Sequence, residues 1–220
     1  MPNVSLKIVF ENENVVLVDK PAGWLSRPSR FGLRDERPCV SSELAKTRSE
    51  LWVVHRLDID VSGLLLFAKN KSSHRALSQA WEAHEVQKKY HALAHRLVAA
   101  TTVEPEIGEL ETWEHLIAEG KRRSFLAEHG KKAITRAICV KVENRVHHWL
   151  LEPVTGRRHQ LRVQMVARGF VILGDVLYGG ANEQWKSGIA LRAVRLDFKK
   201  LDLSKDLKIP DHFEIESLSL

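Results

Sequence analysis

Cysteine is scarce in this 220-residue sequence, since Cys39 and Cys139 are the only two, and they form neither a CxxC pair nor a Cys/His spacing typical of a metal site. Two isolated thiols are typical of proteins from a reducing compartment, where they serve as small core residues. Long apolar runs are also absent, because stretches such as residues 64–68 are far shorter than the roughly 20 residues that span a membrane. Lys7 interrupts the apolar run near the N-terminus, which argues against a secretory h-region. We therefore expect a soluble, cytoplasmic protein.

Basic residues outnumber acidic ones in this sequence. Lysine and arginine total 34 against 28 acidic residues, which gives a net charge of +6 and a pI near 9.4. Such a balance suits a polyanionic partner, because each phosphate that a cation neutralises releases counterions. Many basic proteins bind no nucleic acid, so composition alone leaves the partner open. The length allows one domain with a substantial core or two small ones.

The hydrophobic pattern predicts more strands than helices. Short apolar or alternating runs predict strands at 15–18, 51–54, 64–68, 90–94, 133–142, 146–154 and 189–198. A helix is predicted to begin near Ser72 or Ser73 and to end before Lys88. A second helix is predicted to open at 155–156 and to stop at Gly169. Because the strands do not alternate regularly with helices, we predict an α+β fold rather than a doubly wound sheet.

Two polar segments allow more than one interpretation. Residues 27–50 are irregular and rich in arginine and lysine, which suits either a basic loop that touches RNA or a solvated linker. Residues 101–120 carry six glutamates and no lysine or arginine, whereas residues 121–136 carry six cations and one acid. That charge switch suits either a basic surface that meets phosphate or a hairpin whose charges pair internally.

Two stretches contain side chains that are candidates for catalysis or ligand binding. Asp58 and Asp60 follow a predicted strand, where acids serve as metal ligands, as a hydrolase dyad or as plain turn caps. In the second stretch, Arg158 and Arg162 would lie one turn apart if residues 156–162 were helical. Arginine binds phosphate and also clamps a buried carboxylate, although a solvated basic face would look the same.

Taken in order along the chain, five motifs resemble those of the RluA-type RNA pseudouridine synthases. HRLDIDVSGLLL at 55–66 resembles the family's HRLDxxTSGLLL, and VDKPAG at 18–23 is similar to its VxKPAG. VQKKYHAL at 86–93 matches VxKxYxAL, GRRHQLRV at 156–163 resembles GRTHQIRV, and ILGDVLYG at 172–179 matches ILGDxxYG. Several ordered motifs over most of the chain make coincidence a poor explanation.

The resemblance implies a fold and a reaction. The fold would be an α+β pseudouridine synthase domain with a long mixed, largely antiparallel sheet, flanking helices and a central active-site cleft. We expect residues 1–220 to form this single catalytic domain without a separate N-terminal RNA-binding domain. The protein would convert uridine to pseudouridine in ribosomal or transfer RNA as a monomer, with no cofactor, no metal, no membrane association and no obligate protein partner.

The resemblance also implies residue roles. Asp58 would be the catalytic carboxylate, held ionised by Arg162, and Tyr90 would pack against the target uracil. Arg56 would enter the space that the flipped nucleotide leaves, and His55 would have a hydrogen-bonding role. The remaining candidates for contact with RNA come from the fourth motif and are Arg157, Arg158, His159 and Leu161. His91 and His95 are spaced as helical metal ligands, but the Tyr90 motif places them on a strand, so we reject a metal site there.

The sequence departs from the family pattern at several positions. Val61 and Arg158 replace threonines, Gln164-Met165 stands where His-Leu is common, and Arg192 stands where histidine is frequent. None of these changes removes Asp58, Tyr90 or Arg162. Two other functions stay open, namely a catalytically silent RNA-binding protein and a nucleosidase or nuclease that uses Asp58 and Asp60.

Overall fold

The computed structural model describes residues 6–29, 35–98, 100–181, 185, 187–198 and 203–219, which belong to two compact units. Unit 1 combines Met1–Val86 with Ala193–Ile215, and unit 2 combines Gln87–Arg192 with Glu216–Leu220. The elements in chain order are β1 (Lys7–Glu11), β2 (Val15–Lys20), α1 (Val40–Ala45), β3 (Trp52–Val53), β4 (Ser62–Ala68), α2 (Lys71–Glu82), β5 (Gln87–Arg96), β6 (Leu110–Glu119), β7 (Ser124–Leu126), β8 (Lys131–Glu143), β9 (Val146–Pro153), α3 (Gln160–Ala167), β10 (Phe170–Ile172), β11 (Leu191–Asp197), α4 (Leu203–Asp206) and β12 (His212–Glu214). The predicted α+β class is confirmed. No helix of the described residues is both long and apolar enough to cross a membrane.

Unit 1 is built around two buried strands that pair antiparallel, β2 and β4. Its strands lie in the order β1-β2-β4-β11, with β3 also on β4 and β12 also on β11. Both predicted apolar runs, 15–18 and 64–68, are fully buried strands, as expected for runs without polar alternation. One face of the pair, with Val15, Leu17 and Leu66, packs against Leu77 of α2.

Helix α2 confirms the periodicity prediction but begins earlier than expected. The cap is Asn70 rather than Ser72 or Ser73, because the Asn70 side chain accepts a 2.8 Å hydrogen bond from the Ser73 amide. The helix ends at Glu82, so His84 lies beyond it in the left-handed region with φ 57°. The segment before β3 contains the short helix α1, while Arg30 and Arg34 lie outside the described residues.

Unit 2 contains a sheet with the strand order β5-β9-β8-β6-β7, and β10 also pairs with β5. The neighbouring strands of this sheet pair antiparallel throughout the described residues. Its aromatic core joins Trp149 edge-on to Trp113 and Phe170, with ring centroids 5.3 and 5.1 Å apart. The charge-switch segment forms β6, β7 and the start of β8, and part of its charge pairs internally, as in the 2.8 Å Lys132–Glu114 ion pair.

Helix α3 begins at Gln160, and the prediction that it opens at 155–156 is wrong. The Thr155 hydroxyl donates to the Gln160 side chain at 2.7 Å and accepts from the Ile134 amide at 2.9 Å. Side-chain bonds of this kind compete with helix formation, so residues 155–159 form a non-helical entry to α3. Arg158 therefore does not share a helix face with Arg162.

Candidate active site

Asp58 lies on the irregular loop between β3 and β4 in unit 1. The loop is anchored by the buried side chains of Leu57 and Val61, while Asp58 is half-buried. The Val61 amide donates to the Asp58 carbonyl at 3.2 Å and closes a turn that begins at Asp58. A backbone without strand partners needs other donors and acceptors, and two side chains from the first motif region supply them.

Lys20, the last residue of β2, is completely buried beneath this loop. Its ammonium donates to the carbonyls of Pro21, Trp24 and Ile59 at 2.9, 2.8 and 3.0 Å. Burial lowers the pKa of Lys20 from 10.5 to about 8, while the charges of Asp60 and Asp58 oppose that shift. The Asp58 loop is thus held from below by a desolvated cation.

Ser26 fixes the residue before Asp58. Its buried hydroxyl donates to the Leu57 carbonyl at 2.9 Å and accepts from the Leu57 amide at 3.0 Å. The Gly23 amide also donates to the Ile59 carbonyl at 2.8 Å. Residues on both sides of Asp58 are therefore held in place by the segment that follows β2.

His55 and Arg56 differ in their surroundings. His55 accepts a 3.0 Å hydrogen bond from the Leu66 amide through Nε2 and stacks on Trp81, with ring centroids 4.4 Å apart and planes at 16°. That arrangement ties the loop to β4 and α2. Arg56 is exposed, which makes it available to a ligand.

The backbone at position 63 explains why the second motif has a glycine there. Its φ is 110°, and a Cβ there would lie 2.2 Å from the carbonyl oxygen of Ala193. Any side chain would both strain the backbone and collide with β11. The loop can therefore enter β4 in this geometry only with glycine at this position.

In unit 2, Tyr90 lies on β5 directly opposite Leu151 of β9 and is half-buried. The strand position predicted for the Tyr90 motif is confirmed. His91, the next residue, is on the buried side of the strand, where burial lowers its pKa to about 4.

Arg162 of α3 forms a buried ion pair that the motif comparison did not predict. Its Nε and Nη2 donate to the two carboxylate oxygens of Asp175 at 2.7 and 2.6 Å, and the side chains are 3% and 1% exposed. The Arg162 guanidinium carbon also lies 5.0 Å from the centroid of the Tyr178 ring. This bidentate geometry fixes the orientation of the guanidinium. The expected pairing of Arg162 with Asp58 stays a prediction.

The other residues of the fourth motif have separate positions. Arg158 precedes α3 and donates to the carbonyls of Gly120 and Arg122, both at 2.8 Å. Arg157 donates to the Lys132 carbonyl at 3.0 Å.

His159 adopts the left-handed conformation with φ 54°, and its Nδ1 lies 3.0 Å from the Tyr178 hydroxyl. Leu161 is 7% exposed, so little of its side chain faces solvent. Gln164, which departs from the family pattern, is fully buried and bonds to Thr135 and to the Trp113 carbonyl at 2.6 and 3.1 Å.

Sequence reasoning assigned no role to Lys20, Ser26, Asp175 or Tyr178. Three of them lie inside quoted motifs, Lys20 in VDKPAG and Asp175 with Tyr178 in ILGDVLYG. The motifs therefore contained these three residues, although they did not indicate a role for them. What each side chain contacts depends on residues distant in sequence.

Comparison with known proteins identifies relatives along most of the chain. Residues 14–167 match the model of a family described as RNA pseudouridylate synthase. The dual-specificity RNA pseudouridine synthase RluA of Vibrio vulnificus is 34% identical over 198 residues, which cover 87% of this chain and 77% of that protein. RluA of Escherichia coli is 32% identical over 177 residues, covering 79% and 77%. Human RNA Pseudouridylate Synthase Domain Containing 1 has a similar fold, with a TM-score of 0.69, 24% identity and coverage of 88% and 78%.

Proposed function

The chain belongs to the RNA pseudouridylate synthase family and is an RNA pseudouridine synthase, and we propose that Asp58 is the carboxylate that isomerises a uridine within a structured RNA. The N1–C1′ bond of the nucleoside breaks, the uracil rotates, and a C5–C1′ bond forms with loss of the C5 proton to solvent and gain of a proton at N1. No atom other than these exchangeable protons enters or leaves. The RNA is ribosomal or transfer RNA, and the protein acts as a cytoplasmic monomer.

The Lys20-supported loop is the observation that carries this proposal. Whether Asp58 attacks the sugar or removes a sugar proton, it must be ionised and accurately placed. The charge of Asp58 is close enough to oppose the loss of the Lys20 charge, so the buried cation lies within electrostatic reach of the proposed catalytic residue. Lys20 and Ser26 together fix the backbone on both sides of Asp58. A plain turn-capping aspartate would not need this buried framework.

The further roles rest on the family resemblance. By that resemblance we infer that Tyr90 packs against the uracil and that Arg162 is the cation that keeps Asp58 ionised. The target base must leave its stack at a cost of roughly a few kcal/mol, and stacking on an aromatic ring returns about 1–3 kcal/mol. Arg56, exposed beside Asp58, takes the place that the flipped nucleotide leaves.

The experiment compares wild type with Asp58→Asn and Asp60→Asn. Each protein is incubated with total cellular RNA that lacks this protein's own modification, and pseudouridine is mapped by carbodiimide block. We expect new pseudouridine with wild type, none with Asp58→Asn, and retained activity with the neighbouring Asp60→Asn. RNA binding by Asp58→Asn should survive, because the change removes one negative charge and no cation.

Two outcomes would replace the proposal by its alternatives. Strand breaks or abasic sites would identify a hydrolase, and RNA binding without any pseudouridine in wild type would identify a silent binder. Equal activity in wild type and Asp58→Asn would remove Asp58 from the chemistry.

A further inference from the structure

A short cationic turn joins β6 to β7 in unit 2, and we call residues 120–123, Gly-Lys-Arg-Arg, the basic turn. The Gly120 amide donates to the Arg123 carbonyl at 3.0 Å and closes it. A Cβ at position 120 would lie 2.7 Å from that same carbonyl oxygen, so the tight closure requires glycine. The three cationic residues are all exposed.

The turn is held in one conformation by groups outside it. Arg158 donates from its two terminal nitrogens to the carbonyls of Gly120 and Arg122, both at 2.8 Å. On the other side, the Tyr178 hydroxyl donates to the Ser124 carbonyl at 2.9 Å and accepts from the Ser124 amide at 3.0 Å. An exposed turn would normally leave such carbonyls to water, so these bonds reduce its conformational freedom before any ligand binds.

Tyr178, one of these supports, also contacts Arg162 of the buried Arg162–Asp175 ion pair. Tyr178 packs its ring against the Arg162 guanidinium, and its hydroxyl also meets His159 at 3.0 Å. The conformation of the basic turn is therefore connected, through one tyrosine, to a residue of the fourth motif.

The surface chemistry around the turn favours a nucleic acid as ligand. Phe125, immediately after it, is 43% exposed, and the edge of its ring lies beside Gly120. Cations beside an exposed aromatic ring suit a chain that offers both phosphates and bases. An acidic peptide would match the charges but would not use the ring face.

We propose that the basic turn is an RNA contact surface of this enzyme, in which Lys121 and Arg122 hold backbone phosphates and Arg158 is the positioning residue that fixes their geometry. This inference rests on the RNA substrate of the proposed function and adds the surface that grips it. Arg158 replaces the threonine of the family motif, whose short side chain cannot span two carbonyls. A threonine at this position could therefore not form the two bonds that Arg158 forms here.

The test measures binding of a fluorescently labelled, unmodified transfer RNA transcript at several KCl concentrations. All variants are made in the Asp58→Asn background, so that turnover does not alter the probe. Removing two phosphate contacts by Lys121→Ala with Arg122→Ala should raise Kd on the order of tenfold and reduce the slope of log K against log salt by about 1–2. The control is Lys141→Ala, an exposed cation near the end of β8, whereas it is the start of β8 that pairs with β6 close to the turn.

Arg158 is tested by two substitutions. Arg158→Thr restores the family residue, and Arg158→Lys keeps the charge but cannot form both carbonyl bonds. Both should raise Kd several-fold and speed tryptic cleavage at 121–123 in the free protein. If Arg158→Lys binds RNA like wild type, Arg158 acts as a simple charge and the positioning role is refuted.

The exposed turn variants decide the proposal even if changes at Arg158 impair folding. An unchanged Kd and salt slope for the double variant, or a loss no larger than that of Lys141→Ala, would overturn the contact surface. If wild type forms pseudouridine normally in that case, this inference fails alone. If the turn variants lose RNA binding while wild type forms no pseudouridine, the proposed reaction fails and the RNA surface stands.

Discussion

Replacing Lys20 by methionine would remove three bonds to loop carbonyls while keeping an unbranched apolar stem of similar length. Because burial lowers the pKa of Lys20 from 10.5 to about 8, the unfolded chain binds more protons than the folded one between these pH values. Stability must therefore rise with pH through that window in wild type, and this contribution is absent from a protein without the lysine. Below pH 8 both states are protonated, and the full cost of burying the charge is present.

The size of the effect follows from the pKa change. At about 1.36 kcal/mol per pH unit, a pKa lowered from 10.5 to about 8 corresponds to about 3.4 kcal/mol in total. Integrated from pH 7 to pH 9.5, the free energy of unfolding of wild type should gain about 2 kcal/mol relative to Lys20→Met. This relative gain does not depend on how far the variant is destabilised at pH 7 by its unpaired carbonyls.

The assay is urea unfolding at pH 7, 8 and 9.5 for wild type, Lys20→Met and Lys20→Arg. Arginine keeps its charge throughout this range, so neither variant titrates at position 20. The wild-type free energy should rise by the same amount relative to each variant. Differences that stay constant from pH 7 to 9.5 would show that Lys20 titrates alike in the folded and unfolded chain, and the buried-cation account of the Asp58 loop would be refuted.

Three further changes test other parts of the site. Ser26→Ala removes both bonds to Leu57 and should cost about 1–3 kcal/mol in urea unfolding, with turnover reduced more than RNA binding. Asp175→Asn leaves the Arg162 cation buried without its carboxylate and should cost about 3–5 kcal/mol; a melting temperature equal to that of wild type would contradict the buried pair. Burial lowers the pKa of His91 from 6.5 to about 4, so the unfolded chain binds more protons between these values and stability should be lost as pH falls from 6.5 towards 4. His91→Gln should flatten that acid dependence in thermal melts, whereas an unchanged dependence would assign it to other groups.

Much of the fold follows from hydrophobic pattern alone. The runs at 15–18 and 64–68 have no polar alternation and form the buried strands β2 and β4. Helix ends were less predictable, because they depend on which side chain forms a hydrogen bond with a free backbone amide. Asn70 caps α2 by accepting from the Ser73 amide, so the helix begins before Ser72 and Ser73, and Thr155 bonds to Gln160 instead of starting a helix.

The residues of the candidate site were also predictable from the sequence, but their contacts were not. Motif matching selects Asp58, Tyr90 and Arg162 because their types and spacing resemble a family, but spacing does not state what each side chain contacts. The Arg162–Asp175 pair joins residues 13 apart through the fold, and Lys20 reaches Ile59, 39 residues away. Such contacts depend on strand order and loop path, which no local pattern encodes.

The structure explains what cations and a small hydroxyl in or near the motifs do without taking part in bond breaking. A loop that presents a reactive side chain cannot place its backbone in a sheet, so its buried carbonyls and amides need other partners. Lys20 and Ser26 supply them for the Asp58 loop, and Arg158 does so for the basic turn. A long cationic donor reaches carbonyls on different segments at once, which a neutral side chain of the same length does with fewer bonds. Substitutions at these positions should therefore act by changing the geometry of the loop. At the Asp58 loop we expect turnover to fall more than RNA affinity. At the basic turn we expect RNA affinity to fall more than turnover.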